Sequence, residues 1–131
     1  MKNFTQKKLI RDKILDEMKV SDQEPLGVRT LADEEFVKEL LKKLIEETNE
    51  MLSTNDPSEM KKELCDIVEI TNYIKETLQL SDEEFNKLLL AKRTKSGGFD
   101  KRIYVESVLT KENSNWTKYF LANPERFPEI K

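Results

Sequence analysis

Two stretches of this chain leave little choice of fold. In "LADEEFVKELLKKLIEETNEML", Phe36, Val37, Leu40, Leu41, Leu44, Met51 and Leu52 recur with the period of an α-helix, and acidic residues fill the first turn after a start at Ala32 or Asp33. In "EMKKELCDIVEITNYIKETLQL", Leu64, Ile67, Val68, Ile70, Ile74 and Leu78 repeat that period. The intervening "STNDPS" holds turn formers and Pro57, so the second helix is expected to fold back on the first as a helical hairpin. "SDEE" opens a third helix, with Ser81 and Glu84 in capping-box register and Phe85, Leu88, Leu89 and Ala91 on its apolar side. Gly97 and Gly98 stop it. The expected fold class is all-α.

The flanks carry weaker patterns. Residues 6–18, "QKKLIRDKILDEM", read either as a short helix or as an irregular basic arm, and Pro25 and Gly27 make "VSDQEPLGVRT" a loop. "RIYVESVL" is rich in β-prone residues and reads as a lone strand or a lid. In the tail, Trp116, Tyr119 and Phe120 stand at i, i+3, i+4 spacing, enough for an amphipathic turn that docks on an apolar surface.

The helical period itself exposes an anomaly. Glu47 points into the apolar face of its helix and Glu50 sits at the edge of that face, while on the next helix Glu63 falls inside the apolar arc and Asp66 at its border. Carboxylates three residues apart on a helix lie about 5–6 Å from one another. Gathered at a seam without partners they repel, and each desolvated charge costs several kcal/mol. A divalent cation resolves that conflict. With no histidine and one cysteine, Cys65, the chain offers neither a soft ligand set for zinc nor an intrachain disulfide, so the cation must be a hard one held by oxygen. Magnesium fits best, with manganese as a substitute; magnesium keeps several waters and commonly completes its shell with substrate phosphates. The expected metal ligands are Glu47, Glu50, Glu63 and Asp66.

A phosphate ligand needs cations, and two groups offer them: Lys8, Arg11 and Lys13 near the N-terminus, and Lys92, Arg93, Lys95 and Arg102 around "KRTKSGGFDKR". Each feature also has a plainer reading. The acids can be a solvated helix face paired with Lys42, Lys43, Lys61 and Lys62, and the basic residues after Lys92 suit a helix C-terminus with no ligand. Glu69 and Asn72 continue the i+3 series from Asp66 but rotate away from the seam, and Cys65 reads as a small buried hydrophobe.

Composition closes off other classes. A formal net charge of −3, from 26 acidic and 23 basic residues, creates no overall positive field to draw nucleic acid or an anionic membrane. No apolar run approaches a membrane span and the N-terminus lacks a signal-peptide core, so the expected location is the cytoplasm.

The pattern "EETNE", a spacer, then "ELCD" resembles the E-E-x-x-E and E-x-x-D motifs of the MazG-like all-α nucleoside triphosphate pyrophosphohydrolases. "KLIRDKI", "VRTLADEEFVKELLKKLIEE" and "KRTKSGGFDKRIYVE" are similar to the small phosphoribosyl-ATP pyrophosphohydrolase-like branch. The resemblance spans about residues 7–107; the branch usually has proline where this chain has Leu15, and the tail from about residue 110 has no counterpart. It implies a pyrophosphohydrolase domain over residues 1–109 and a separate tail over 110–131. It further implies magnesium-dependent hydrolysis of a nucleoside triphosphate, or a related phosphoribosyl nucleotide, to a monophosphate and pyrophosphate, in one version as removal of damaged nucleotides. Glu47, Glu50, Glu63 and Asp66 match the family's metal ligands, with Glu46 as an outer ligand or base. Family members build four-helix bundles from two subunits, which makes a homodimer or higher homo-oligomer the expected state. A nucleotide- or metal-binding module without turnover is the alternative on the same fold.

Overall fold

A computed structural model describes residues 1–131 as five helices and no strand: α1 (Asp12–Val20), α2 (Asp33–Ser53), α3 (Pro57–Thr77), α4 (Asp82–Ser96) and α5 (Asn115–Leu121). The long helices begin and end where local chemistry dictates. Asp56 caps α3 by accepting a hydrogen bond from the Ser58 N–H at 2.9 Å, and Pro57 takes the first helical position, where no N–H is needed. Ser81 Oγ accepts from the Glu84 N–H at 3.2 Å, the capping contact expected at the start of α4. At its far end Gly97 adopts a left-handed φ of 80° and donates its N–H to the Arg93 carbonyl, the glycine stop read from the sequence.

The chain divides into two compact units, Met1–Ala91 and Lys92–Lys131. In the first, α2 and α3 are joined by three residues, Thr54 to Asp56, and form the one helix–helix packing in the structure. One residue of each helix is buried, Leu40 and Ile70, and Phe36 meets Tyr73 edge to face with ring centroids 6.5 Å apart. Burying two aliphatic side chains contributes about 1.5–3 kcal/mol each, a small core for two 21-residue helices. Beyond the seam each helix keeps an exposed apolar stripe at i, i+4 spacing, Leu41 and Ile45 on α2 and Leu64 and Val68 on α3, all 45–62% exposed. Lys75 joins the end of α3 to the start of α4, with its ammonium 2.9 Å from Asp82 and 4.2 Å from the centre of the Phe85 ring.

Three sequence expectations change here. Residues 6–18 are both an arm and a helix, irregular as far as Arg11 and helical from Asp12. "RIYVESVL" forms no strand, because an isolated strand has no edge to pair with. Cys65 is exposed instead of buried, since it lies on the open side of α3 together with Leu64 and Val68.

The second unit owes its order to aromatic rings. Ser114 caps α5 by accepting from the Thr117 N–H, Trp116 stacks on Phe120 at 6.0 Å, and Phe127 closes against Phe120 at 4.9 Å. Phe127 was not part of the i, i+3, i+4 pattern, because it folds back from beyond the helix end at Leu121. No helix of the structure is long and apolar enough to cross a membrane.

Candidate metal centre

Leu40 and Glu47 are seven residues apart on α2, and Glu63 and Ile70 are seven apart on α3. Seven residues make almost two full turns, so each glutamate lies on the same stripe as the buried residue of its own helix and is carried to the α2–α3 seam. Glu50 follows Glu47 by one turn. Carboxylate oxygens of Glu47, Glu50 and Glu63 all lie within 4.8 Å of one another, Glu47 and Glu63 half-buried and Glu50 exposed.

The electrostatics record the crowding. Partial burial, a hydrogen bond shared with Glu63, and the charges of Glu50, Glu63 and Asp66 push the Glu47 carboxyl up to about 8. Glu50 is also raised, first by loss of solvation and then by the charge of Glu63. Glu63 Oε2 is buried and receives no hydrogen bond from any donor. The surrounding lysines do not neutralise the group: Lys42 pairs with Glu39 at 2.8 Å and Lys62 with Glu59 at 3.2 Å, each on its own helix. Neither of these two lysines therefore partners the seam acids.

The donor set suits a hard divalent cation. It consists of oxygen alone, it draws on two helices held in fixed register, and its least solvated oxygen has no other partner. Glu46, half-buried next to Glu47, lies outside the cluster because one residue along a helix rotates by about 100°.

Asp66 is engaged differently. Its Oδ1 accepts from Arg11 at 2.7 Å, and the same guanidinium pairs with Glu69 one turn further along α3. Of the expected phosphate-binding cations, Arg11 is therefore held by carboxylates, while Lys8 and Lys13 lie exposed on either side of it in the first unit. Lys92, Arg93, Lys95 and Arg102 belong to the second unit, the first three in the closing turns of α4 and Arg102 after it, all exposed. Glu69 is the residue that helical rotation alone undervalued. It faces away from the seam but toward the N-terminal arm, and the i+3 series Glu63, Asp66, Glu69 was its only signal in the sequence.

Comparison with protein-family models, curated proteins and solved structures gives no match.

Proposed function

We propose that this chain is a magnesium-dependent nucleotide pyrophosphohydrolase, which cleaves a nucleoside triphosphate or related nucleotide between its α and β phosphates to release a monophosphate and pyrophosphate. The observation that carries the reading is the convergence of Glu47, Glu50 and Glu63 around a buried carboxylate oxygen with no donor. The resemblance of "EETNE" and "ELCD" to the pyrophosphohydrolase motifs supports the substrate class. Glu47, Glu50 and Glu63 would hold the cation, with Asp66 able to join them from the next turn of α3. Bound there, magnesium supplies charge neutralisation on the phosphates and a more acidic water. Glu46, the neighbour of Glu47 outside the cluster, would act as the base that accepts a proton from an attacking water, the role that the motif resemblance implies for it. The exposed cations Lys8 and Lys13 supply charge for the leaving pyrophosphate.

A panel of ribo- and deoxyribonucleoside triphosphates together with phosphoribosyl-ATP, assayed with magnesium for pyrophosphate release, tests the proposal. Turnover should yield monophosphate and pyrophosphate, vanish in excess chelator, and be blocked by analogues with an imido link between the α and β phosphates. A diphosphate and orthophosphate as first products would contradict it. Saturable, metal-dependent nucleotide binding with no turnover would assign the fold to a binding module instead.

The functional unit in this reading is a homodimer. The open stripes of Leu41 and Ile45 on α2 and of Leu64 and Val68 on α3 are what a second hairpin would cover to complete a four-helix bundle. Sedimentation should give a dimer, and Val68→Lys, which sets a charge on the α3 stripe, should weaken self-association at least about tenfold. A wild-type chain that stays monomeric at high concentration rules the bundle out.

A further inference from the structure

The ion pairs of this chain are local, with one exception. The others join residues no more than seven positions apart, whereas Arg11 reaches α3 from 55 positions away and bridges Asp66 and Glu69. Its backbone is extended, at the residue that precedes α1, so the guanidinium projects from the junction between the irregular arm and the helix. Little else holds that segment. No residue of α1 is buried, α1 packs on no other helix, and only Leu9, Ile10, Leu15 and Met18 are even half-buried. The clamp therefore combines the one specific tether of the N-terminal segment with a carboxylate three residues from the metal-binding Glu63.

We propose that Arg11 is a built-in counter-cation of the metal centre. Without a divalent cation it latches the N-terminal arm to α3 through Asp66 and Glu69; when the metal recruits Asp66, the guanidinium keeps Glu69, and its freed edge turns to the phosphates of the anionic ligand. The exchange step rests on the metal-centre reading, while the latch itself does not. Both carboxylates and the guanidinium are partly solvated, with side chains 36–57% exposed, so the pair is an exchangeable one and not a permanent structural bridge. Arginine suits the role because its planar fork binds two carboxylates at once and matches a phosphate equally well. Glu69 gives the arm a pivot, so release from Asp66 redirects Arg11 without losing it.

Hydrogen–deuterium exchange on the full chain, combined with Mn2+ titration by calorimetry, tests both parts. In metal-free protein, residues 1–20 should exchange at least about threefold faster in Arg11→Gln than in wild type, with Asp66→Asn in between because Glu69 still holds the guanidinium by a single pair. Equal exchange in all three overturns the latch. Adding Mn2+ should raise arm exchange in wild type and leave it unchanged in Arg11→Gln, which should bind Mn2+ about three- to tenfold more tightly because no internal cation must be displaced. Lys19→Gln makes the same change of charge on α1 away from the clamp and should bind Mn2+ as wild type does. Weaker binding by Arg11→Gln overturns the exchange, since it would mean that Arg11 holds Asp66 in place for the metal. If no protein binds Mn2+ while arm protection still differs, the metal-centre reading fails and takes the exchange with it, leaving the latch.

Discussion

Glu50→Ala and Glu63→Gln are expected to reduce pyrophosphate release at least about a hundredfold and to weaken Mn2+ binding by a similar factor, with helical content unchanged. The expectation follows from how few donors the centre has. Three carboxylates supply its oxygens from within 4.8 Å of one another, and a chain without histidine has no replacement ligand to bring in. Even loss of an outer partner of a metal site commonly costs 10- to 100-fold, so loss of a direct ligand should cost at least the upper end of that range. The two substitutions are informative together because their structural burdens differ. Glu50 is exposed, so alanine there leaves the hairpin seam intact; Glu63 carries the buried oxygen, and glutamine keeps its shape while replacing part of its acceptor capacity with donors. Glu46→Gln, outside the cluster, should leave Mn2+ affinity unchanged and lower the turnover rate alone. Initial rates against magnesium concentration, with calorimetric Mn2+ titration of each variant, separate the cases. Full turnover of Glu50→Ala, or of wild type in excess chelator, would refute the metal assignment.

The hairpin and the three inward carboxylates were legible because both follow from one period. A helix that buries Leu40 must carry Glu47 to the same side two turns later, and the same rule ties Glu63 to Ile70. The Ser81 cap and the Gly97 stop were legible for a related reason: each is a contact within four residues. What stayed hidden depends on contacts between distant segments. Arg11 and Asp66 are 55 positions apart, and nothing in either local pattern says that the arm folds onto α3 rather than reaching for a phosphate. Cys65, read as a small buried hydrophobe from its residue type, is exposed because a single hairpin has only one covered face and Cys65 lies outside it. Phe127 escaped notice because proline at position 124 ends the periodic signal before the chain turns back to the α5 rings.

Neutralising Glu47 should stabilise the metal-free protein and at the same time impair the metal-bound one. In the fold its carboxyl is pushed from an ordinary 4.5 to about 8, by burial first and then by its proximity to Glu63 and Glu50. The folded state therefore holds its proton more tightly than the unfolded chain does, and each proton retained in this way lowers stability as it is drawn off. The contribution is fully present below about pH 4.5 and is lost as pH rises through about 8. For a wholly shielded group a displacement of that size corresponds to about 5 kcal/mol at about 1.4 kcal/mol per pH unit. Glu47 is only half-buried, and solvent screening reduces this to about 1–2 kcal/mol. Glu47→Gln keeps the shape of the side chain and removes the titration. Metal-free Glu47→Gln should consequently melt roughly 4–8 °C above metal-free wild type at pH 8.5, and the gap should narrow steadily toward pH 5, where wild-type Glu47 is already protonated. Magnesium reverses the order, because a cation that binds only the folded state stabilises in proportion to the logarithm of its affinity, and the variant has lost a charged donor. A glutamate on an ordinary solvated face predicts neither result, since removing an exposed charge changes stability by less than about 0.5 kcal/mol. Thermal melts of both proteins across pH 5–8.5, in chelator and in magnesium, decide between them: parallel pH profiles with equal magnesium increments would mean that the seam carboxylates are neither strained by one another nor waiting for a cation.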